Sequence, residues 1–466
     1  MKQYAGYDEA RRIASKNVTP RSRYIEALES YVVGTQYDGK PDWFVQDDKI
    51  PLFDRKPCVV YAVVNSAIAS NTDLVLGDGR FPAITSAPDE NDSKFDGEIG
   101  LEQAASETLD RFISSVAKQA RFRGVCREVF AAAQGAGSGV AICCVRDGRL
   151  VFDTTRARWC MPTFDALGNV LALEIRYPYI DTFKAGNEWK VRALIYRRVI
   201  DSFRDVTYLP AEAKEDCIEP DWVEDPALTI DHGFGFCPVI WYPFMRGCSM
   251  AGTFDGHAIH ENLLDELRAL DFALSMRHRA ALFAGDPQWT EIGVEEGYNP
   301  TPGGQAKGMP ATLKGGPYSQ SNPVTSHYVE PAPRAARKKS PGLIWQYPNP
   351  DTKVQLHTLP GDALEALDRH ARDLRMKISE SMAVVFMDPD DIKYASSVSG
   401  KALETLKSRQ IDRCDQYRDD FGEGFILPAI QMLLRMAYEV GKTGGLNLTG
   451  LKTTMPILER FNVAGA

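Results

Sequence analysis

The sequence has no C-x-x-C pair. Its nine cysteines, Cys58, Cys126, Cys143, Cys144, Cys160, Cys217, Cys237, Cys248 and Cys414, are odd in number and scattered. Several fall in apolar runs such as "AICCV". That spacing excludes a paired-cysteine structural zinc site and favours reduced, buried thiols. No uninterrupted apolar run approaches the roughly 18 residues a membrane span needs. The first residues, "MKQYAGYDEARRIASKNVTPRSRYIEAL", contain no apolar core of a secretory leader. The expectation is a protein made in the cytoplasm, without a signal peptide or a membrane partner. A basic excess is also missing: 54 Lys and Arg face 63 Asp and Glu, a formal net charge of -9. Tight non-specific wrapping of nucleic acid normally needs the opposite sign.

What is present is an ordinary folding composition, 44% hydrophobic and 25% charged. The 466 residues suffice for two or three domain-sized units. Helical spacing marks "SRYIEALESYVVG" and "CVVYAVVNSAIASNTDLVLG", with Gly34 and Gly77 as stops. A polar loop follows. Residues 98–139 then read as two helices ending at the Gly-rich "QGAGSG". Between about 140 and 245 the period shortens, and "RDGR" and "DALGN" between apolar runs predict hairpins.

From Gly256 to Gly285 the pattern predicts one long helix carrying Ile259, Leu263, Leu267, Leu270 and Leu274. Proline density then rules helix out, with Pro300, Pro302, Pro310, Pro317, Pro323, Pro331, Pro333, Pro341, Pro348 and Pro350 in one excursion. Short strands such as "KVQLHTLP" are expected at its end. A second long helix carries Leu364, Leu367, Ala371, Leu374, Ile378 and Met382. An acidic turn around Pro389 breaks it. A third helix starts near Ser399, a plausible N-cap, places Gln410, Cys414, Tyr417 and Phe421 on one stripe, and continues past Gly422 and Gly424. The fold class read from this order is α+β, mostly helical.

Candidate chemistry is thin. "ASSVSGKAL" ends like a phosphate-binding loop at Gly400 and Lys401. However, Ala395 replaces the early glycine, and Ala402 stands where Mg²⁺ needs a hydroxyl. "HAIHE" places His257, His260 and Glu261 close together without the H-E-x-x-H spacing or a third ligand, and reads as a polar helix face. Gly-rich "QGAGSGV" follows a helix and precedes a strand, the reverse of the dinucleotide-binding order. Ser379 lacks the lysine three residues on that a Ser-Lys nucleophile requires. No catalytic residue, metal site or cofactor is assigned, and the chain is expected not to be an enzyme. The basic "RAARKKS" reads as a solvated loop before it reads as a phosphate contact.

The order of these segments resembles the portal proteins of tailed bacteriophages. The resemblance rests on "DHGFGFCPVIWYPF" (231–244) leading into the helix "HENLLDELRALDFALSMRHRAALFAGDPQW", on "SSVSGKALETLKSRQ" (396–410), which is similar to the family's S-G-x-A-L helix start, and on the strand pair of "GSGVAICCVRDGRLVFDTTRARWCMPTFDALGNVLALEIRY". It covers about residues 20–435. It implies a wing over 1–245, a first stem helix over 246–285 and a clip over 286–358. A second stem helix would occupy 359–385, a tunnel loop 386–398, a long kinked helix 399–436 and a short crown or tail 437–466.

The resemblance further implies Phe386, Asp388, Asp390, Asp391 and Lys393 at the DNA channel, with the aspartates repelling phosphate. Arg334, Arg337, Lys338 and Lys339 would lie on a docking surface of the clip. The implied partners are the chain itself in a ring of about twelve copies, double-stranded DNA in transit, the terminase large subunit, a head-tail adaptor, and the major capsid protein or scaffold. The implied location is the portal vertex of the virion, reached from the host cytoplasm. Two rival readings remain: another capsid-associated or adaptor protein, and a nucleotide-dependent enzyme.

Overall fold

The computed structural model describes residues 6–43, 50–77, 114–115, 117–118, 120–146, 149–185, 188–216, 219–247, 254–285, 288–292, 353–357, 361–385 and 400–439. Within them the chain is α+β, about half helical. It divides into two compact units, Met1–Phe272 with Arg372–Ala466, and Ala273–Ala371.

The first unit begins with α1 (Tyr7–Lys16) and α2 (Pro20–Val33). Thr19 caps α2 by accepting the Ser22 N–H, Pro20 supplies a preset first turn, and Gly34 ends it at φ 83 with its N–H on Ser30 O. α3 covers Val63–Leu76, five residues shorter at its start than the sequence pattern predicts. The reason is tertiary. Lys56 N–H bonds Pro41 O, and Tyr61 N–H bonds the Asp271 carboxylate at 2.8 Å, so the approach to α3 is held by partners outside any helix. α4 (Phe122–Ala136) follows Arg121, whose φ is 50; most of the first of the two helices expected over 98–139 lies outside the described residues. Gly137 closes α4 at φ 83.

The expected β-rich body forms two sheets. One is three-stranded, in the order β2 (Arg149–Thr155), β1 (Ser138–Arg146), β9 (Val239–Pro243). The other runs β3 (Cys160–Phe164), β4 (Val170–Ala185), β5 (Glu188–Ile200), β6 (Arg204–Thr207), β8 (Ile230–Asp231), with β7 (Ala211–Glu212) beside β5. The "DALGN" signal joins β3 to β4. Gly168 takes φ 86, and the Asp165 carboxylate accepts the Leu167 and Asn169 N–H groups at 2.8 Å. Hydrogen bonds to the charged form hold the Asp165 carboxyl below its ordinary value.

Alternation gives the large sheet two different faces. Leu173, Ile175 and Ile200 pack on Val140, Ile142, Val239 and Trp241 of the small sheet. On the opposite side Ala10, Ile13 and Ala14 of α1 lie against Ile180, Val191, Ala193 and Ile195.

A second core is aromatic. α7 (Gly400–Phe421) passes through a π-turn, Gly422–Ile426, into α8 (Leu427–Glu439). Phe421 lies 5.0 Å from Phe130 of α4, from Tyr242 of β9 and from Phe425, and Phe244 lies 4.9 Å from Tyr417. A β-carbon on Gly424 would sit 3.2 Å from the Tyr242 ring, so the widened turn and the bare glycine admit that ring. Buried Gln410 is satisfied within the same body. Its amide donates to Ser70 Oγ and Asn71 Oδ1 at 3.1 and 3.2 Å, and Asn71 donates on to Gln134.

The second unit consists of the last turns of α5 (Leu264–Gly285), β10 (Gln288–Ile292), β11 (Lys353–His357) and the first turns of α6 (Gly361–Met382). β10 and β11 pair antiparallel, from Gln288 opposite His357 to Ile292 opposite Lys353. Strand β11 is the expected "KVQLH". Farther along, α6 ends at Ala383, whose φ is 52.

Phe421→Ala should cost about 3–5 kcal/mol, because it empties a fully buried aromatic site. Leu167→Ala, at a residue 87% exposed, should stay within about 0.5 kcal/mol. Urea unfolding followed by tryptophan fluorescence measures both.

Candidate functional site

The residues assigned from the sequence lie outside the described residues: Phe386, Asp388, Asp390, Asp391 and Lys393 of the acidic turn, and Arg334, Arg337, Lys338 and Lys339 of the Pro-rich excursion. Ser399 does too. Gly400 and Lys401 are the first two residues of α7. The described chemistry concentrates elsewhere, at the junction where α2, the two sheets and the approach to α5 meet.

Asp255 is the centre of that junction. Its side chain is fully buried, and Arg21 of α2 grips both its oxygens, Nε to Oδ2 at 2.7 Å and a terminal nitrogen to Oδ1 at 2.8 Å. The same guanidinium donates to Cys160 O at 2.8 Å and Ala157 O at 3.2 Å, and lies 4.9 Å from the Phe254 ring centroid. Ser138 Oγ donates to Asp255 Oδ1 at 2.9 Å. One ion pair thereby joins α2, the start of β1, the turn before β3 and the segment after β9. Backbone packing around it is just as close. A β-carbon on Gly256 would fall 1.8 Å from Phe244 O, and one on Gly137 would fall 2.3 Å from Gly256 O. Gly137 therefore does two things: it ends α4, and it lets residues 254–258 pass over that end.

The "HAIHE" residues are the next shell outward, and they correct the expectation of a helix running from Gly256 with a polar face there. α5 begins only at Leu264, after a short 3₁₀ turn over Glu261–Leu263. The segment before it is held by other bonds: His257 N–H goes to Phe244 O at 2.7 Å, Ile259 N–H to Gln134 O at 2.9 Å, and Ala258 N–H to the Glu261 carboxylate three residues on at 3.0 Å. The side chains do not form a solvated face. Glu261 accepts from Tyr24 Oη at 2.8 Å and from His257 Nδ1 at 3.1 Å. His260 is fully buried and donates Nε2–H to Leu28 O at 3.0 Å. The two imidazoles address different partners. Among the described residues no group of three His, Cys, Asp or Glu is placed to hold a metal ion.

Two further places carry groups capable of chemistry. A cleft of about 480 Å³ between the sheets is lined by Trp159, Tyr177, Tyr196, Arg146, Asp153 and Arg198. Its rings stack on one another, Trp159 on Tyr177 at 4.4 Å and Tyr177 on Tyr196 at 5.0 Å. Its charges are already paired, Arg146 with Asp153 and Arg198 with Asp205. The seven described cysteines are free thiols, and all but Cys58 and Cys144 are buried. Burial pushes Cys160 and Cys237 up to about 12 and Cys144 up to about 11, far from a reactive thiolate.

Among the described residues no helix is long and apolar enough to cross a membrane. No protein-family model matches the chain, and no curated protein does.

Sequence reasoning missed Arg21 and Asp255. The available signal was the pair of Gly-rich stretches "QGAGSG" and "FDGH", each a place where backbones approach closely. Removing one partner of this pair should cost about 3–5 kcal/mol, since it leaves a buried charge without its counterion. Asp255→Ala is expected to lower the unfolding midpoint accordingly, and Arg21→Met with Asp255→Leu to regain part of the loss.

Two buried groups give stability opposite pH slopes. Burial raises Asp271 to about 6, although Tyr61 N–H, Tyr37 Oη and Gln36 Nε2 all donate to it. Its folded form favours the proton, so its contribution is full below the unfolded carboxyl value and lost as pH rises towards 6. Burial lowers His260 to about 4, so its contribution is full above the unfolded imidazole value and lost as pH falls towards 4. Each shift corresponds to about 3 kcal/mol, and they oppose one another between about pH 4 and 6. Asp271→Asn should therefore unmask a steep loss of stability on acidification. Thermal unfolding at half-unit pH steps measures it, and an unchanged profile would refute the assignment.

Proposed function

We propose that this chain is the subunit of a portal ring of tailed bacteriophages. It would form the vertex channel through which double-stranded DNA enters and leaves the capsid, and it would carry out no catalysis of its own. The observation that carries the reading is in the second unit. α5 leads directly into β10, β11 leads directly into α6, and β10 pairs with β11. The intervening 293–352 thus departs and returns at one place. Arg277 of α5 bonds Asp368 of α6 at 2.6 Å, eight residues before the end of one helix and seven after the start of the other. That ion pair and the β10–β11 pairing join the outgoing arm to the returning one. A helix, a looped excursion closed at its base and a returning helix are what a stem and clip require.

The first unit supplies a body of helices and two sheets for the wing of this reading, and α7 continues through a π-turn into α8, where the reading has its long returning helix. An acidic chain, with Asp388, Asp390 and Asp391 at the proposed channel loop, suits a conduit from which DNA must slip, since each phosphate contact adds affinity. On this reading terminase and a head-tail adaptor dock on the clip, and capsid protein or scaffold surrounds the wing.

Electron microscopy of the purified chain, with mass from light scattering, tests the reading. A closed ring of about twelve copies with an axial channel wide enough for duplex DNA is expected. A chain that stays monomeric at every concentration, and in the presence of capsid protein and scaffold, would overturn it.

A further inference from the structure

The β4–β5 hairpin is longer than the sheet that contains it. Its strands pair from Leu173 opposite Ile200 out to Ala185 opposite Glu188. Yet β3 flanks β4 only as far as Ile175, β6 flanks β5 only from Arg198, and β7 touches β5 only at Leu194 and Ile195. The α1 helix covers it out to Ile180 and Val191. Past these positions no strand among the described residues flanks the hairpin, which continues as a two-stranded ribbon. Such a ribbon gains little stability from its own pairing. Here Arg192 stiffens it, bonding Asp181 at 2.9 Å and covering the Phe183 ring at 4.7 Å. Its end presents Trp189, 52% exposed, beside exposed Lys184 and Lys190, with one acid, exposed Glu188, between them.

A surface of opposite character lies at the other end of β5. There β8, only two residues long, forms the outer edge of the sheet. Around it Phe203, Val223, Leu228 and Ile230 are each more than half exposed, an apolar group without cover in the described chain. Asp221, Glu224, Asp225 and Asp231 stand among them, with Arg204 bonded to Glu224 and Asp231.

We propose that the β4–β5 ribbon of one copy seats its aromatic, cationic end on the acidic, apolar β8 edge of a second copy of this chain. Charge and apolar surface match at the two places. They cannot meet within one chain: Glu224 bridges Tyr208 opposite Arg197, seven residue steps of β5, roughly 23 Å, from Lys190, and β8 lies farther still. A contact between two unlike surfaces repeats head to tail. It closes a ring when its rotation divides the circle and builds a filament when it does not. The expectation of a ring rests on the portal reading; the contact itself does not.

Zero-length carbodiimide cross-linking of the full-length chain, followed by peptide mass spectrometry of the dimer and larger bands, tests it. Links from Lys184 or Lys190 to Asp221, Glu224 or Asp231 are expected. Lys184→Glu with Lys190→Glu should reduce the assembled fraction at least tenfold, and adding Asp221→Lys with Glu224→Lys should restore it. Assemblies that lack these links and survive the lysine reversals would overturn the proposal, as would a chain that never assembles. Assemblies joined by these links but without an axial channel would uphold the contact and reject the portal reading. A channel-bearing ring joined elsewhere would do the reverse.

Discussion

The first unit is organised around a fully buried carboxylate. Asp255 lies inside the body, and among the described residues Arg21 alone forms an ion pair with it. That condition reaches far along the chain. The guanidinium must arrive from α2 and spend its remaining donors on Cys160 O and Ala157 O, so the helix and the turn into β3 are placed together. Ser138 must face the same point, so β1 starts where α4 stops. A buried ion pair adds little net stability against a well-packed apolar alternative. What it does supply is geometry, because a bidentate pair tolerates only one orientation of its two elements.

Close backbone approach makes that geometry available. Gly137 and Gly256 have no room for a side chain, and Gly139 is similarly confined, its β-carbon position 2.6 Å from Val129 O. The chain between Phe254 and His260 runs through this narrow place. Its N–H groups go to Phe244 O, Gln134 O and the Glu261 carboxylate, which fix its path. The late start of α5 is thus a consequence of the same crowding that seats Asp255. Farther out, the aromatic cluster of Phe130, Tyr242, Phe421 and Phe425 and the amide chain through Gln410, Asn71 and Gln134 fasten α7 to the same body.

Much of this was legible in the sequence where the signal is local. Gly34 and Gly137 stop helices, "DALGN" makes a hairpin turn, and "KVQLH" is a strand, because each depends on backbone preferences of a few residues. The continuation through Gly422 and Gly424 followed from spacing. Failures occurred where distant groups compete for the same backbone donors. Residues 58–62 and 256–260 have helical spacing, yet their environments include Asp271, Pro41, Phe244 and Gln134, none of which spacing can reveal. "HAIHE" was read as a polar face, and all of it but the half-buried His257 is buried. Gln410 fell on an apolar stripe and is a satisfied polar group. In each case the alternation of residue types was correct and the partners were unknown.

The sequence by itself determined the order of helices and strands, the absence of a basic excess and of a long apolar span, and the Pro-rich excursion between two long helices. Those are properties of composition and of short-range periodicity. Only the tertiary structure decided that Arg21 meets Asp255 across 234 positions, that β10 and β11 close the base of the excursion, and that the β4–β5 ribbon and the β8 edge end up at opposite ends of one sheet. Pairings of that kind depend on which surfaces are brought within a few ångströms of one another. A local pattern carries no record of that, because many sequences with the same periodicity would satisfy the same helix or strand.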